Sequence, residues 1–268
     1  MDNLTLLSIL GMGAIGLFFA IVLAVANEKF HVEEDPRVEA LAGCLPGINC
    51  GACGYLSCHD YAQHLASGQE PIDKCKPGGE SVQQALADIL GVKATAVEKA
   101  FFVVHCAAGI DKRQKKALYK GVETCLGATL VQGGEGACVY GCLGLADCVK
   151  ACEFNALSIK NGLPVFDHDK CVQCGKCAIA CPRDLISREI LEKDGKVTFV
   201  ACSSKDKGPD TRKVCSVGCI SCGICQKMTE GDFIVIDNCA RRVPDKIKES
   251  DKKMIAVEKC PTKVIKQI

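Results

Sequence analysis

Four cysteines fall at Cys171-x2-Cys174-x2-Cys177-x3-Cys181, and Pro182 follows the last of them. Three thiolates spaced in this way can turn inward onto one iron–sulfur cube, while the cysteine before the proline reaches across to a second. Such a segment has little conformational choice, because its backbone must wrap a cluster in short turns. A disulfide framework needs no such clustering, and a zinc ribbon shows two separated pairs. The run sits in a chain with 22 cysteines among 268 residues. The chemistry it points to is electron carriage on iron–sulfur clusters, with a zinc-rich structural or nucleic-acid-binding scaffold as the alternative.

The amino terminus belongs to a different environment. Leu4 to Ala26 is 23 residues without a charge, enough as a helix to span roughly 34 Å. A cleaved signal peptide starts with basic residues and has a shorter apolar core, so the segment reads as a single membrane anchor. Lys29 and Arg37 follow it among acidic residues in a charged collar over 27–37, a weak positive-inside signal. Oxygen-sensitive clusters and many free thiols suit a reducing compartment. The expectation is a single-pass protein of the cell (inner) membrane with its cysteine-rich part in the cytoplasm.

Net charge is +1 and tryptophan is absent, which removes the usual basis for nucleic-acid binding. Large apolar residues are sparse beyond the anchor, so bound metal must supply part of the folding free energy. The expected fold class is α+β: a transmembrane helix at 1–30, a small iron–sulfur module at 31–92, a two-cluster ferredoxin-like module at 93–198 and a degenerate ferredoxin-like module at 199–268.

In the first module Cys50, Cys53, Cys58 and Cys75 form one candidate site, with a zinc knuckle as the alternative. Gly51 and Gly54 let the backbone approach a cluster closely. Short helical patterns cover His59–Ala66 and Ser81–Leu90, the latter with Val82, Leu86, Ile89 and Leu90 on one side.

Beyond residue 101 the cysteines repeat at an offset of 77 residues: Cys125, Cys138, Cys142 and Cys148 return as Cys202, Cys215, Cys219 and Cys225. Phe102–Cys106 and Phe199–Cys202 also echo one another, each a strand running into a cysteine. Asn161-Gly162 predicts a hairpin between Leu157–Ile159 and Leu163–Phe166, and Asp194-Gly195 predicts another between Ile190-Leu191 and Val197–Val200.

In a two-cluster ferredoxin each cube takes three cysteines from one run and the fourth from the other. That rule groups Cys171, Cys174 and Cys177 with Cys152, and Cys138, Cys142 and Cys148 with Cys181. Leu145 stands where the first run should have its middle cysteine, and Cys138 is taken as the substitute. In the last module Cys219, Cys222 and Cys225 are intact, with Cys260, which precedes Pro261, or else Cys215 as the fourth ligand. Thr229, Arg242 and Asp245 occupy the remaining cysteine positions of that module, so one of its cubes is read as lost. About four [4Fe–4S] clusters result. Cys44 reads as a packed residue and Cys239 as a remnant. Cys106, Cys125, Cys202 and Cys215 either form a fifth metal site bridging the repeats or stay as reduced thiols, and iron well above sixteen atoms per chain would favour the former.

Lys112, Arg113, Lys115 and Lys116, with Lys205, Lys207, Arg212 and Lys213, are either ordinary solvated surface or a docking patch for an acidic electron carrier. No hydrolytic motif and no strand–GxGxxG–helix element is present, so the chain holds no complete catalytic site and electrons must come from and go to other proteins. A polyferredoxin subunit of another membrane redox complex, such as a hydrogenase, also fits these parts.

The order of parts resembles the B subunits of the Rnf family of membrane-bound ferredoxin:NAD oxidoreductases over nearly the whole chain. The resemblance rests on the anchor, the Cys50-Gly51-Ala52-Cys53-Gly54-Tyr55-x2-Cys58…Cys75-x-Pro77-Gly78-Gly79 module, the Tyr140–Gly144 segment and the run at 171–182. The cysteine-rich part beyond 200 is like the longer versions of anaerobic bacteria. The resemblance implies a subunit that takes electrons from reduced ferredoxin and passes them through its clusters to membrane partners and a flavin- and NAD-binding subunit, while the complex moves Na+ or H+ outward.

Overall fold

The computed structural model describes residues 3–30, 35–94, 99–243 and 252–268. Part of the charged collar (31–34) and Asp245 lie outside the described residues. Helix α1 (Asn3–Phe30) runs 28 residues, about 42 Å at the α-helical rise. Leu17, Phe18 and Leu23 on different sides of it are 65%, 63% and 67% exposed. Its stretch Ile9–Lys29 is long and apolar enough to cross a membrane, and none of it is covered by the rest of the protein. An all-round apolar helix left bare in this way needs another apolar medium around it.

Three helices make the next unit. Helix α2 (Pro36–Cys44) was not anticipated; Pro36 opens it and the Asp35 carboxylate caps it, accepting from the Arg37 amide at 2.9 Å. Helix α3 (Cys58–Ala66) is capped by Ser57, whose hydroxyl accepts from the Asp60 amide at 3.0 Å. Helix α4 (Gly79–Leu90) ends at Gly91 in the left-handed region (φ 67°). Leu41, Tyr61, Leu65 and Leu86 are fully buried where the three meet.

Among the described residues, the rest is built from four two-stranded antiparallel sheets. Strand β1 (Ala100–Val104) pairs with β4 (Ile186–Ile190), and between them in sequence lies the hairpin β2 (Leu157–Lys160)–β3 (Leu163–Phe166). The pattern then recurs: β5 (Thr198–Val200) pairs with β8 (Ile265–Gln267), enclosing the hairpin β6 (Phe233–Ile236)–β7 (Cys239–Arg242). Asn161 and Gly162 (φ 48° and 68°) turn the first hairpin, as their identity predicts. Asp237 and Asn238 (φ 49° and 58°) turn the second, which was not foreseen.

The expected Asp194-Gly195 hairpin is a correction. The turn forms, with the Glu192 amide donating to Lys196 O at 2.8 Å, but β4 continues to β1 and β5 to β8. Glu192 separates them: its buried carboxylate accepts from the Thr198 amide at 2.8 Å and pairs with Lys253 at 2.6 Å. Lys253 opens helix α6 (Lys253–Lys259), so the carboxylate draws the carboxy-terminal segment against β5. Arg242, where spacing suggests a lost cysteine, completes this buried group through Glu189 at 3.0 Å and Glu192 at 3.6 Å.

Candidate metal centres

Cysteines stand among the large apolar side chains that fill the interiors of the sheet-containing units. Their placement follows a small recurring device, a left-handed residue followed by a one-turn helix that carries a cysteine. Gly175 (φ 79°) precedes Cys177 and Gly223 (φ 70°) precedes Cys225, while Ala146 (φ 67°) takes the same conformation before Cys148.

Cys50, Cys53, Cys58 and Cys75 line one cavity under α3. The Asn49 carboxamide accepts from the Cys58 amide at 2.8 Å and fixes the loop to the helix. Tyr61 donates to Pro71 O and Tyr55 to Glu70, both at 2.6 Å, which holds the segment that returns Cys75. Burial, and then the neighbouring Cys58, Cys53 and Cys50, raise the Cys75 thiol.

Cys152, Cys171, Cys174 and Cys177 meet in a second group. Burial followed by Cys171 and Cys174 pushes Cys177 up to about 12, and burial followed by Cys174 and Cys152 raises Cys171. Cys219, Cys222, Cys225 and Cys260 line a third cavity. Of the two candidates for its fourth corner, Cys260 is there and Cys215 is elsewhere. Thiols raised by burial stay protonated on their own, and a bound metal would displace those protons.

One grouping differs from that read from spacing. Cys142, Cys148 and Cys181 share their cavity with Cys125 rather than Cys138. Cys125 begins helix α5 (Cys125–Leu130), capped by Thr124, whose hydroxyl accepts from the Gly127 amide at 3.0 Å. The Leu126 amide donates to the Asp147 carboxylate at 3.0 Å, tying this helix to the turn that carries Cys148. Cys138 instead lines a larger cavity with Cys106, Cys202 and Cys215, which Cys142 borders from its own group. Cys125 and Cys138 have thus exchanged partners relative to expectation. Two sequence signals foreshadow this: the strand-into-cysteine echo relates Cys106 to Cys202, and the 77-residue offset relates Cys138 to Cys215.

Among the described residues no three His, Cys, Asp or Glu side chains converge closely enough to hold a single metal ion. Tetrahedral zinc draws its thiolates to within about 4 Å of one another, given Zn–S bonds of about 2.3 Å. Four thiols spread around a cavity suit a cube instead. Backbone amides aimed at sulfur suit it further: Leu185 donates to Cys181 Sγ at 3.4 Å and Ala240 to Cys219 Sγ at 3.4 Å.

The two basic runs come together, because Arg113 bridges Cys215 and the Ser216 amide donates to Lys112 O at 3.1 Å. Lys112, Lys115, Lys116, Lys205, Lys207, Arg212 and Lys213 are exposed. Arg113 departs from the expected patch: it is half-buried and its guanidinium donates to Cys142 O.

Two family models match the chain, one described as "Putative Fe-S cluster" over residues 45–77 and one as "4Fe-4S binding domain" over residues 164–187. The chain is 38% identical over 256 residues to the B subunit of the Na(+)-translocating ferredoxin:NAD(+) oxidoreductase complex of Acetobacterium woodii, covering 95% of this chain and 75% of that protein. It is 37% identical to the B subunit of the proton-translocating ferredoxin:NAD(+) oxidoreductase complex of Clostridium ljungdahlii, covering 99% and 93%. A third relative, the B subunit of the ion-translocating oxidoreductase complex of Methanosarcina acetivorans, is 34% identical, with 85% of each chain covered.

Proposed function

The chain belongs to the B subunits of ion-translocating ferredoxin:NAD(+) oxidoreductase complexes, and we propose that it is the membrane-tethered electron relay between reduced ferredoxin and the complex's membrane and flavin/NAD-binding subunits. These relatives favour neither a hydrogenase polyferredoxin nor a zinc scaffold.

The observation that carries the reading is the succession of four-cysteine groups. In this reading Cys50, Cys53, Cys58 and Cys75 hold one [4Fe–4S] cluster, and Cys152, Cys171, Cys174 and Cys177 a second. Cys125, Cys142, Cys148 and Cys181 hold a third, and Cys219, Cys222, Cys225 and Cys260 a fourth. Neighbouring groups are close: Cys148 and Cys181 of the third pack in one buried cluster with Cys177, Cys152 and Cys171 of the second, and Lys176, raised by Glu153, is also raised by Cys174 and Cys50. A bound cube supplies a site that gains and loses one electron. The chain's own residues bury the sulfurs, aim amides at them and keep water out, which sets the potential. Half-buried Arg183, donating to Gly133 O at 2.8 Å and Cys138 O at 3.3 Å, adds a cation among the thiolates.

The twice-used arrangement of an outer strand pair around a hairpin supports tandem ferredoxin-like modules at 93–198 and 199–268, after the anchor (1–30) and the first cluster module (31–92). The α1 helix supports a single-pass anchor, which would hold the relay near its partners at high effective concentration. The thiol chemistry favours the cytoplasmic side, and the joined basic runs fit an acidic ferredoxin.

Replacing Cys174 with Ala in the intact complex tests the reading. Ferredoxin-dependent NAD reduction is expected to vanish, with the protein still copurifying with flavin-bearing membrane subunits. Unchanged reduction would contradict the relay, and failure of the wild-type chain to copurify would contradict its place in the complex.

A further inference from the structure

Cys106, Cys138, Cys202 and Cys215 stand outside the four groups above, and they meet at the seam between the two sheet-containing halves, around a cavity of about 230 Å³. We propose that these four cysteines hold a fifth [4Fe–4S] cube, which joins the two halves into one electron path. The proposal rests on the reading that the chain carries cubes and extends it to a site to which each half contributes two ligands.

The site is built with the same local device as the others. Backbone amides are aimed at its sulfurs: Ser204 donates to Cys202 Sγ at 3.5 Å, Cys219 to the same sulfur at 3.3 Å and Cys142 to Cys106 Sγ at 3.4 Å. Leu185 stands in that relation to Cys181 and Ala240 to Cys219. Free thiols gain little from such donors, whereas thiolates on a cluster are stabilised by every one of them.

Each pair of ligands is fixed independently. Cys106 and Cys202 leave β1 and β5 side by side, because the His105 ring bonds Val200 O and Ser187 Oγ, both at 2.7 Å. Cys138 and Cys215 flank a strap at 112–116. On one edge of the strap Gln114 donates to Val214 O at 3.0 Å, and on the other Gln114 O accepts from the Ala137 amide at 2.8 Å. Two half-buried guanidinium groups, Arg113 and Arg183, also line the cavity and would offset the negative charge of a cube bearing four thiolates.

Its neighbours argue for the same occupant. The Cys142 amide donates to Cys106 Sγ at 3.4 Å and the Cys219 amide to Cys202 Sγ at 3.3 Å. The seam is therefore hydrogen-bonded to one ligand of the group before it and one of the group after it. The Cys239 thiol lies in the same gap, donating to Cys202 O at 3.4 Å. Electron tunnelling weakens steeply with distance, so a carrier here lets the Cys219–Cys260 group exchange electrons with the rest. One electron would enter and leave with no bond made or broken.

The test is native mass spectrometry of the full-length chain, purified anaerobically in detergent, with iron and zinc assayed in parallel. Five cubes are expected in the wild type. Cys138→Ser and Cys106→Ala should each lose one cube, and the double variant should lose one and not two. Four cubes in the wild type, or a zinc ion in place of the fifth, would overturn the proposal while leaving the relay intact. A chain with no cubes would overturn the relay itself. The wild-type count decides the matter even if the variants fail to fold.

Discussion

The Leu126 amide donates to the Asp147 carboxylate at 3.0 Å, and this bond sets Cys125 beside Cys148 across 23 residues of chain. Asp147→Ala should leave α5 free to move away from the turn before Cys148, so the cluster assigned to that group should be lost several-fold faster to an iron chelator. Asp147→Asn keeps an acceptor oxygen and should behave like the wild type. Equal rates in all three proteins would mean that the bond does not hold the site.

Ala146 occupies a conformation that its two counterparts, Gly175 and Gly223, adopt without a side chain. A left-handed alanine costs about 1 kcal/mol relative to glycine. Ala146→Gly should therefore raise the unfolding free energy of the cluster-loaded protein, read from denaturant titration, by an amount of that order, and Gly175→Ala should lower it similarly. A destabilising Ala146→Gly would show that the turn is not strained.

Arg242 is 5% exposed and Glu192 is fully enclosed, with Lys253 on the other side of that carboxylate. Removing Arg242 takes from Glu189 its buried cation at 3.0 Å and leaves Glu192 with Lys253 alone, at a cost of about 3 kcal/mol, the lower end for broken buried pairs. Arg242→Leu should lower the unfolding free energy of the carboxy-terminal half, read from urea denaturation, by an amount of this order. A loss below about 1 kcal/mol, the range of surface pairs, would contradict the buried network.

The joined basic runs predict a salt-dependent encounter with ferredoxin. Charge reversal at Lys207 and Arg212 should lower the second-order rate of reduction about tenfold at low salt, with the difference shrinking as ionic strength rises. Stopped-flow reduction measures this, and a rate unaffected by salt would remove the docking role.

Local signals were legible in the sequence and distant competition was not. Asn161-Gly162 makes its hairpin and the pattern over His59–Ala66 makes its helix because each depends on a few adjacent residues. Asp194-Gly195 makes its turn for the same reason, yet the strands it should join are captured by β1 and β8, which no local signal describes. Helix α2 escaped notice because its short pattern follows a charged stretch that masks it. The Asp237-Asn238 hairpin did leave a sign, a turn dipeptide between two apolar-rich segments. The exchange of Cys125 and Cys138 is the most instructive case. Spacing assigns the nearer cysteine to the gap left at Leu145, but a capped helix and one carboxylate hold the farther one there. The nearer cysteine faces the seam instead, beside residues more than sixty positions away.

Pairs of cysteine substitutions test this partition most directly, read by cluster counting on the anaerobically purified full-length chain. Cys125→Ser with Cys148→Ser should remove one cube, because both belong to one group, whereas Cys138→Ser with Cys148→Ser should remove two. The reverse result, two cubes lost from the first pair and one from the second, would restore the grouping that spacing implies and contradict the account given by the structure.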